Sequence, residues 1–316
     1  MTNNNRAFVI GSYVAGCIAN AARMPERGET ILAQSFLLQP GGKGFNLMAG
    51  LHRLGAAVDG ILPVGDDLWG CIAPALMTQI GLPTSWLMPI PGPSGGAVGL
   101  VDGQGENVIS VFPGANARLS PDHVASLHGQ LTKARIVAAQ CEVQPRAIAQ
   151  AFAMARDAGI TTVFNPSPWQ GGVCDLLRLA DIVIVNWGEA RQIAGELGVL
   201  WPPDQDTASL PLLAAAAHGL GVEHLIVTQG AGGAICFPAG QDAIHQPAFP
   251  TVPVDTIGAG DGFSAGLIAA LLDDLPMADA LRQAAACGSL VCRGVGVIDY
   301  LPDRAEVEAL LRVWPG

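Results

Sequence analysis

The run Asp255-Thr256-Ile257-Gly258-Ala259-Gly260-Asp261 sets a carboxylate directly behind three small residues. An apolar helical pattern of Phe263, Leu267 and Leu271 follows it. Gly258, Ala259 and Gly260 let the backbone come close to a ligand. Their amides fall in the first turn of the expected helix, where no intrahelical acceptor exists. Free amides and the positive end of the helix dipole together make an anion site. A phosphoryl group in transit spreads charge over its equatorial oxygens, so such a site would stabilise that transition state. Asp261 could then take the proton of an attacking hydroxyl. The dipole favours its ionised form and keeps it available at neutral pH. Asp255 and Thr256 are placed to cap the turn. A plain helix start with acidic first-turn residues has the same pattern, and these residues alone leave both readings open.

Other chemistry-bearing patterns do not complete. The segment GSYVAG after the first apolar run lacks the GxGxxG spacing, GGKGFN lacks the P-loop spacing and hydroxyl, and no GxSxG elbow occurs. The six histidines form no ligand spacing such as HExxH. Seven cysteines, scattered and without a CxxC pair, predict reduced thiols and a cytoplasmic protein. A net charge of −11 argues against a general nucleic-acid binder, so a phosphate ligand would need a local site. The first residues lack the long apolar core of a signal peptide, and no uncharged apolar run is long enough to span a bilayer. Membrane and nucleic-acid partners are therefore not expected.

The elements that must position these residues read as alternating strands and helices. Strands are expected at 7–12, 58–65, 134–140, 161–166, 181–186 and 224–230. Helices are expected from about 43 to Gly55, at 145–159 and at 209–221. Such alternation implies a mainly parallel sheet covered on both faces, with ligands at the carboxyl ends of its strands. Glu142, Asn165, Asn186 and Thr228 follow those apolar runs and suggest a lined cleft. Residues 95–112 break the alternation, because two β-rich runs flank a glycine-rich turn and predict a hairpin. The expected architecture is one α/β domain over 1–316 with a small β appendage from about 13–38 and 95–112.

Taken together, DTIGAGD at 255–261 and PGGKGFN at 40–46 resemble the two signatures of the PfkB, or ribokinase-like, carbohydrate kinases. The resemblance runs from about residue 7 to 302. It implies a three-layer α/β/α core with a small β-sheet lid over the sugar, and ATP and Mg²⁺ as cofactors. It implies Asp261 as general base and Gly258, Ala259 and Gly260 as the anion hole. Gly42, Lys43, Asn46 and Glu142 would face the sugar. Asn186 and Glu189 match an NxxE motif that organises Mg²⁺ through water and the ATP phosphates. Thr228, Gly230 and Gly233 resemble the loop under the nucleotide, and Ala285 stands where the family contacts adenine. Main-chain oxygens of Asp255, Ile257, Val291, Gly294, Gly296 and Tyr300 match a monovalent-cation site for K⁺. Each assignment has a structural competitor. Lys43 could be a solvated helix-start lysine, Glu142 a strand-end surface residue, and Asn186 with Glu189 a helix cap. Asn165 reads as a turn former, Met48 and Met154 as core, and Trp169 and Trp187 as core or cleft wall.

The chain departs from the ribokinase pattern at its first strand. There Gly-Ser-x-Asn-x-Asp grips sugar hydroxyls, whereas here Val14 and Gly16 replace the polar pair. Tyr13 and Cys17 add to an apolar wall, and Phe45 is bulkier than the family's usual alanine. A site that loses hydroxyl-binding groups loses selectivity for that hydroxyl. The expected function is ATP-dependent phosphorylation of a hydroxymethyl group on a pentose-like sugar. The competing readings are a deoxysugar or nucleoside kinase, a phosphosugar kinase, and a non-catalytic sugar-binding protein. A phosphosugar enzyme would want extra arginines near the lid, and only Arg6, Arg23, Arg27 and Arg53 are close in sequence. The lid's β edges suggest a homodimer.

Overall fold

Buried apolar residues set the path of the chain from its first strand, Arg6–Ile10, whose last four residues are all buried. The computed structural model describes residues 5–103, 107–172, 174–201 and 207–314. The elements run β1 (Arg6–Ile10), β2 (Val14–Ala21), β3 (Ala33–Gly41), α1 (Lys43–Arg53), β4 (Ala57–Val64) and α2 (Leu68–Gln79). Then come β5 (Leu87–Pro89), β6 (Gly95–Val101), β7 (Asn107–Phe112), α3 (Pro121–Ala125) and α4 (His128–Leu131). The middle holds β8 (Ile136–Gln140), α5 (Pro145–Asp157), β9 (Thr161–Asn165), α6 (Cys174–Leu177), β10 (Ile182–Asn186) and α7 (Trp187–Glu196). After α8 (Leu210–Gly219) and β11 (His224–Thr228) come β12 (Ala234–Pro238) and β13 (Ile244–Gln246). The last helices are α9 (Ala259–Leu272), α10 (Met277–Val291) and α11 (Arg304–Val313).

The large sheet has the order β13-β12-β11-β10-β9-β8-β1-β4-β5. It is parallel from β11 to β5, and β12 and β13 join it antiparallel. β8 is buried along its whole length and apolar up to its last residue, Gln140, because helices cover both faces. One core includes Met48, Leu51, Leu267 and Ala284 of α1, α9 and α10. The other includes Phe152, Ile193 and Leu213 of α5, α7 and α8. The result is the expected α/β/α arrangement.

Small residues bring the layers close where the signatures lie. A Cβ on Gly44 would stand 2.1 Å from Gly11 Cα, so α1 begins directly on the end of β1. A Cβ on Gly50 would lie 2.8 Å from that of Ala265, and one on Gly266 would lie 2.7 Å from Cys287 Sγ. These contacts seat α9 tightly between α1 and α10.

The second sheet has the order β3-β2-β6-β7. It is the expected appendage, although β3 continues past 38 to Gly41, because Val14 pairs with Gly41. The turn of the expected hairpin, 104–106, lies outside the described residues. Among the described residues no helix is long and apolar enough to cross a membrane.

Candidate active site

The start of α1 is built by backbone and side-chain hydrogen bonds. Gly42 is its N-cap at φ 104, a conformation that suits glycine. Ser12, at the end of β1, accepts from the Phe45 amide at 3.0 Å through its carbonyl. Its hydroxyl donates to Glu142 Oε2 at 2.5 Å and accepts from the Gly44 amide at 3.2 Å. Glu142 Oε2 also accepts from the Lys43 amide at 2.7 Å. Glu142 therefore caps the positive end of α1, and its other oxygen is not used by these bonds. Gln140 donates to the Lys43 carbonyl at 3.5 Å. Glu142 is thus no mere surface residue at a strand end.

Asp261 meets this corner from the opposite side. It lies in the first turn of α9 and is only 7% exposed. Its Oδ2 accepts from Asn46 Nδ2 at 2.8 Å, while Asn46 Oδ1 is buried without a hydrogen-bond partner. Burial raises the Asp261 pKa to about 6, against the pull of Lys43 and Asn46 and with a push from Glu142 and Glu189. Burial pushes Lys43 down, but Asp261, Glu142 and Glu189 push it up by more, so it stays an ammonium. One cation is thus shared among three carboxylates.

The N-cap of α9 is Gly258, in the left-handed region at φ 79. A Cβ there would lie 2.5 Å from a Val297 methyl. Asp255 Oδ1 accepts from the Ile257 amide at 3.0 Å and so caps the turn before the helix. Ala259 donates to the Thr256 carbonyl at 3.2 Å, so its amide is partly spent within that turn. Gly260 and Asp261 follow as the second and third helical residues, and their amides have no acceptor inside the helix.

Asn186 and Glu189 form a reciprocal cap at the start of α7, each side chain bonding the other's amide at 2.9 Å. Glu189 also lines an open cleft of about 450 Å³ with Lys43, Ser167, Trp169, Asn186 and Gln192. Trp169 is therefore cleft wall, whereas the Trp187 ring packs edge-on against Trp201 at 5.1 Å. Two of the four polar strand ends are spent inside the sheet. Asn165 donates to the Ile184 carbonyl at 2.6 Å and Thr228 to that of Val185 at 3.3 Å. The loop after Thr228 closes through a bond from the Gln229 amide to the Gly233 carbonyl at 2.8 Å, with Gly230 and Gly233 at positive φ. Ala285 is buried in α10, with only an edge accessible.

Two contacts connect the segments that carry Asp255, Ile257, Val291, Gly294, Gly296 and Tyr300. The Val254 amide donates to the Cys292 carbonyl at 2.8 Å. The Tyr300 ring lies where a Gly294 side chain would be, 1.8 Å from its ideal Cβ.

The apolar wall at 13–17 differs from the expectation. Strand alternation puts Val14 and Gly16 on one face of β2 and Cys17 on the other. Tyr13 and Phe45 are fully buried against each other, ring centroids 5.8 Å apart and nearly perpendicular. Asn116 holds Tyr13 through two main-chain bonds of 3.0 and 2.8 Å. Sequence reasoning missed Ser12, Asn116 and Gln140. Ser12 was legible in principle, since it ends the first strand beside the glycine-rich signature.

A family model for the pfkB family carbohydrate kinases matches residues 4–304. The ribokinase of Bacillus subtilis is 31% identical over 303 residues, covering 96% of this chain and 98% of that protein. A deoxyribokinase of Salmonella typhimurium is 30% identical over 260 residues, with 81% and 82% covered. The structure of Arabidopsis thaliana ribokinase complexed with ribose and ATP superimposes with a TM-score of 0.86 at 29% identity, covering 97% of this chain and 98% of that one. Core, lid and signature positions agree with a single conclusion: the chain belongs to the pfkB family of carbohydrate kinases and is a ribokinase-like phosphotransferase that acts on an alcohol group of a sugar.

Proposed function

We propose that this kinase transfers the γ-phosphoryl group of ATP to the hydroxymethyl group of a pentose-like sugar. Asp261 is the general base. The observation that carries the reading is its burial at the start of α9, across from Lys43 and Asn46, with a pKa raised to about 6. Such a carboxylate is ionised at neutral pH yet basic enough to help a hydroxyl proton leave late in the transfer. Amides of the Gly258–Gly260 turn and of Asp261 face the charge that develops on the transferred group, and Lys43 adds a fixed positive charge beside it. Asn46, Glu142 and the Gly42–Lys43 backbone orient the sugar.

Glu189 and Asn186 suit a hydrated Mg²⁺ on the phosphates. Among the described residues no group of three or more His, Cys, Asp or Glu side chains is placed to hold a metal alone. Phosphate and water oxygens would complete that shell. When bound, the ion neutralises charge on the β- and γ-phosphates. The loop at Thr228–Gly233 and the edge of Ala285 would support the nucleotide. The joined segments at 254–257 and 291–300 offer hard main-chain oxygens to a monovalent cation such as K⁺. The kinase domain is taken as one unit, the lid included.

The reading is tested by ADP release with MgATP and K⁺ across free pentoses, hexoses, nucleosides and fructose 6-phosphate. A free pentose is expected to give the strongest signal. Turnover confined to nucleosides or to the phosphosugar would replace the acceptor. Sugar binding without ADP formation would leave a non-catalytic protein.

A further inference from the structure

Resting on the sugar-kinase reading above, we propose that the acceptor is a deoxypentose in preference to a fully hydroxylated one, selected by the apolar face of the lid at Val14 and Gly16. Strand register defines that face. Val14 pairs with Gly41 and Gly95, Gly16 with Gln39 and Ala97, and Ile18 with Leu37 and Gly99. Residues directly opposite each other share a face, so Val14, Gly16, Ile18, Gln39, Ala97 and Gly99 point the same way. Two contacts show where this face looks. Gln39 Oε1 lies 3.6 Å from where a Gly296 Cβ would stand. The next residue, Val297, packs its methyls against Gly258 at the start of α9. The face thus stands over the turn that leads into Asp261.

Polar capacity around this space is one-sided. On the body side stand Asp261, Lys43, Glu142 and Asn46, whose buried Oδ1 has no hydrogen-bond partner and is free to accept from a hydroxyl. On the lid side Val14 is 5% exposed and Gly16 has no side chain. The backbone of β2 is paired on both edges, with β3 and β6, so its amides and carbonyls are spent in the ladders. The other polar pair on this face, Asn20 and Ser35, bond each other at 2.8 Å. They sit about 20 Å along the strand from Val14 at the usual rise per residue. Gln39 stands near the base of the wall, and the Asn116 amide beside Gly95 is engaged by the Tyr13 main chain. A sugar hydroxyl pressed against Val14 would lose water and gain no partner. An apolar pocket rejects such an added hydroxyl by about 10- to 100-fold. The rings of Tyr13 and Phe45 are fully buried, so among the described residues neither is open to stack a nucleobase. A free sugar suits this wall better than a nucleoside.

The test measures kcat/KM for 2-deoxyribose, ribose and a set of nucleosides, in the wild type and in Val14→Thr. The substitution keeps the shape and adds a hydroxyl on the wall. Gly16→Ser serves as a second variant on the same face. The wild type is expected to favour 2-deoxyribose over ribose by about 10- to 100-fold. Val14→Thr is expected to shrink that ratio several-fold, chiefly through the KM for ribose. Equal or better use of ribose by the wild type would overturn the inference and leave the kinase reading standing. So would a ratio that neither variant moves, or a preference for nucleosides. Absence of ADP with every sugar would sink both together.

Discussion

Burial at the start of α9 holds the Asp261 pKa near 6 although Lys43 and Asn46 pull it down. The proton-accepting carboxylate therefore dominates at neutral pH and disappears in mild acid. kcat/KM for the sugar is expected to fall about tenfold per pH unit below about 6. A profile that stays flat to about pH 5 would contradict the role. Replacing Lys43 with methionine removes the cation that lowers this pKa, so the same limb should move to higher pH. Stability gives an independent reading of the carboxylate. A folded pKa above the unfolded value means that stability from this group is full below about 4 and is lost as pH rises through about 6. Asp261→Asn lacks that loss, so its stability relative to wild type should improve by about 2–3 kcal/mol between pH 4 and pH 7 in denaturant titrations. Ser12 acts through another residue. Ser12→Ala frees Glu142 from its shortest bond and should raise the sugar KM about tenfold with little change in kcat.

The elements meet at the site because glycine lets backbones touch. A Gly44→Ala methyl would meet main-chain atoms of Gly11 and Ser12 at 2.1–2.6 Å, which no side-chain movement relieves. Thermal unfolding should reveal a loss of about 3 kcal/mol or more, since α1 must lift off β1. Gly260→Ala has nothing within 4 Å of its new methyl and should fold normally. A Gly44→Ala protein as stable as wild type would contradict this account of the α1 corner. The same contacts explain what could be read in advance. Alternating apolar runs marked the parallel strands, and the two glycine-rich signatures marked the starts of α1 and α9. The partners that lock them were harder to see. Asn116 reaches Tyr13 from 103 positions away, and no local pattern encodes such a contact. Strand alternation splits the expected wall at 13–17 between two faces, and Phe45 turns inward against Tyr13.

At the scale of the molecule the lid is the least covered part. On the face opposite Val14, Phe36 and Val98 are each 65% exposed, and Leu38, Val108 and Phe112 are exposed beside them. Exposed apolar strands of this kind are suited to pairing with a second copy, and we propose a homodimer through the lid. Sedimentation should give a dimer for the wild type and a monomer for Phe36→Asp combined with Val98→Lys. A wild-type monomer at assay concentrations would contradict it. The protein carries a net charge of −11, so on the proposed reading phosphate handling would fall to Lys43 and the amides of one turn rather than to a basic surface. The central claim is that Asp261 takes the proton of the acceptor hydroxyl, and single-turnover phosphoryl transfer by Asp261→Asn tests it most directly. The account predicts a loss of about 10²- to 10⁴-fold in the transfer rate with sugar and ATP binding retained. Near-normal transfer by that variant would contradict it.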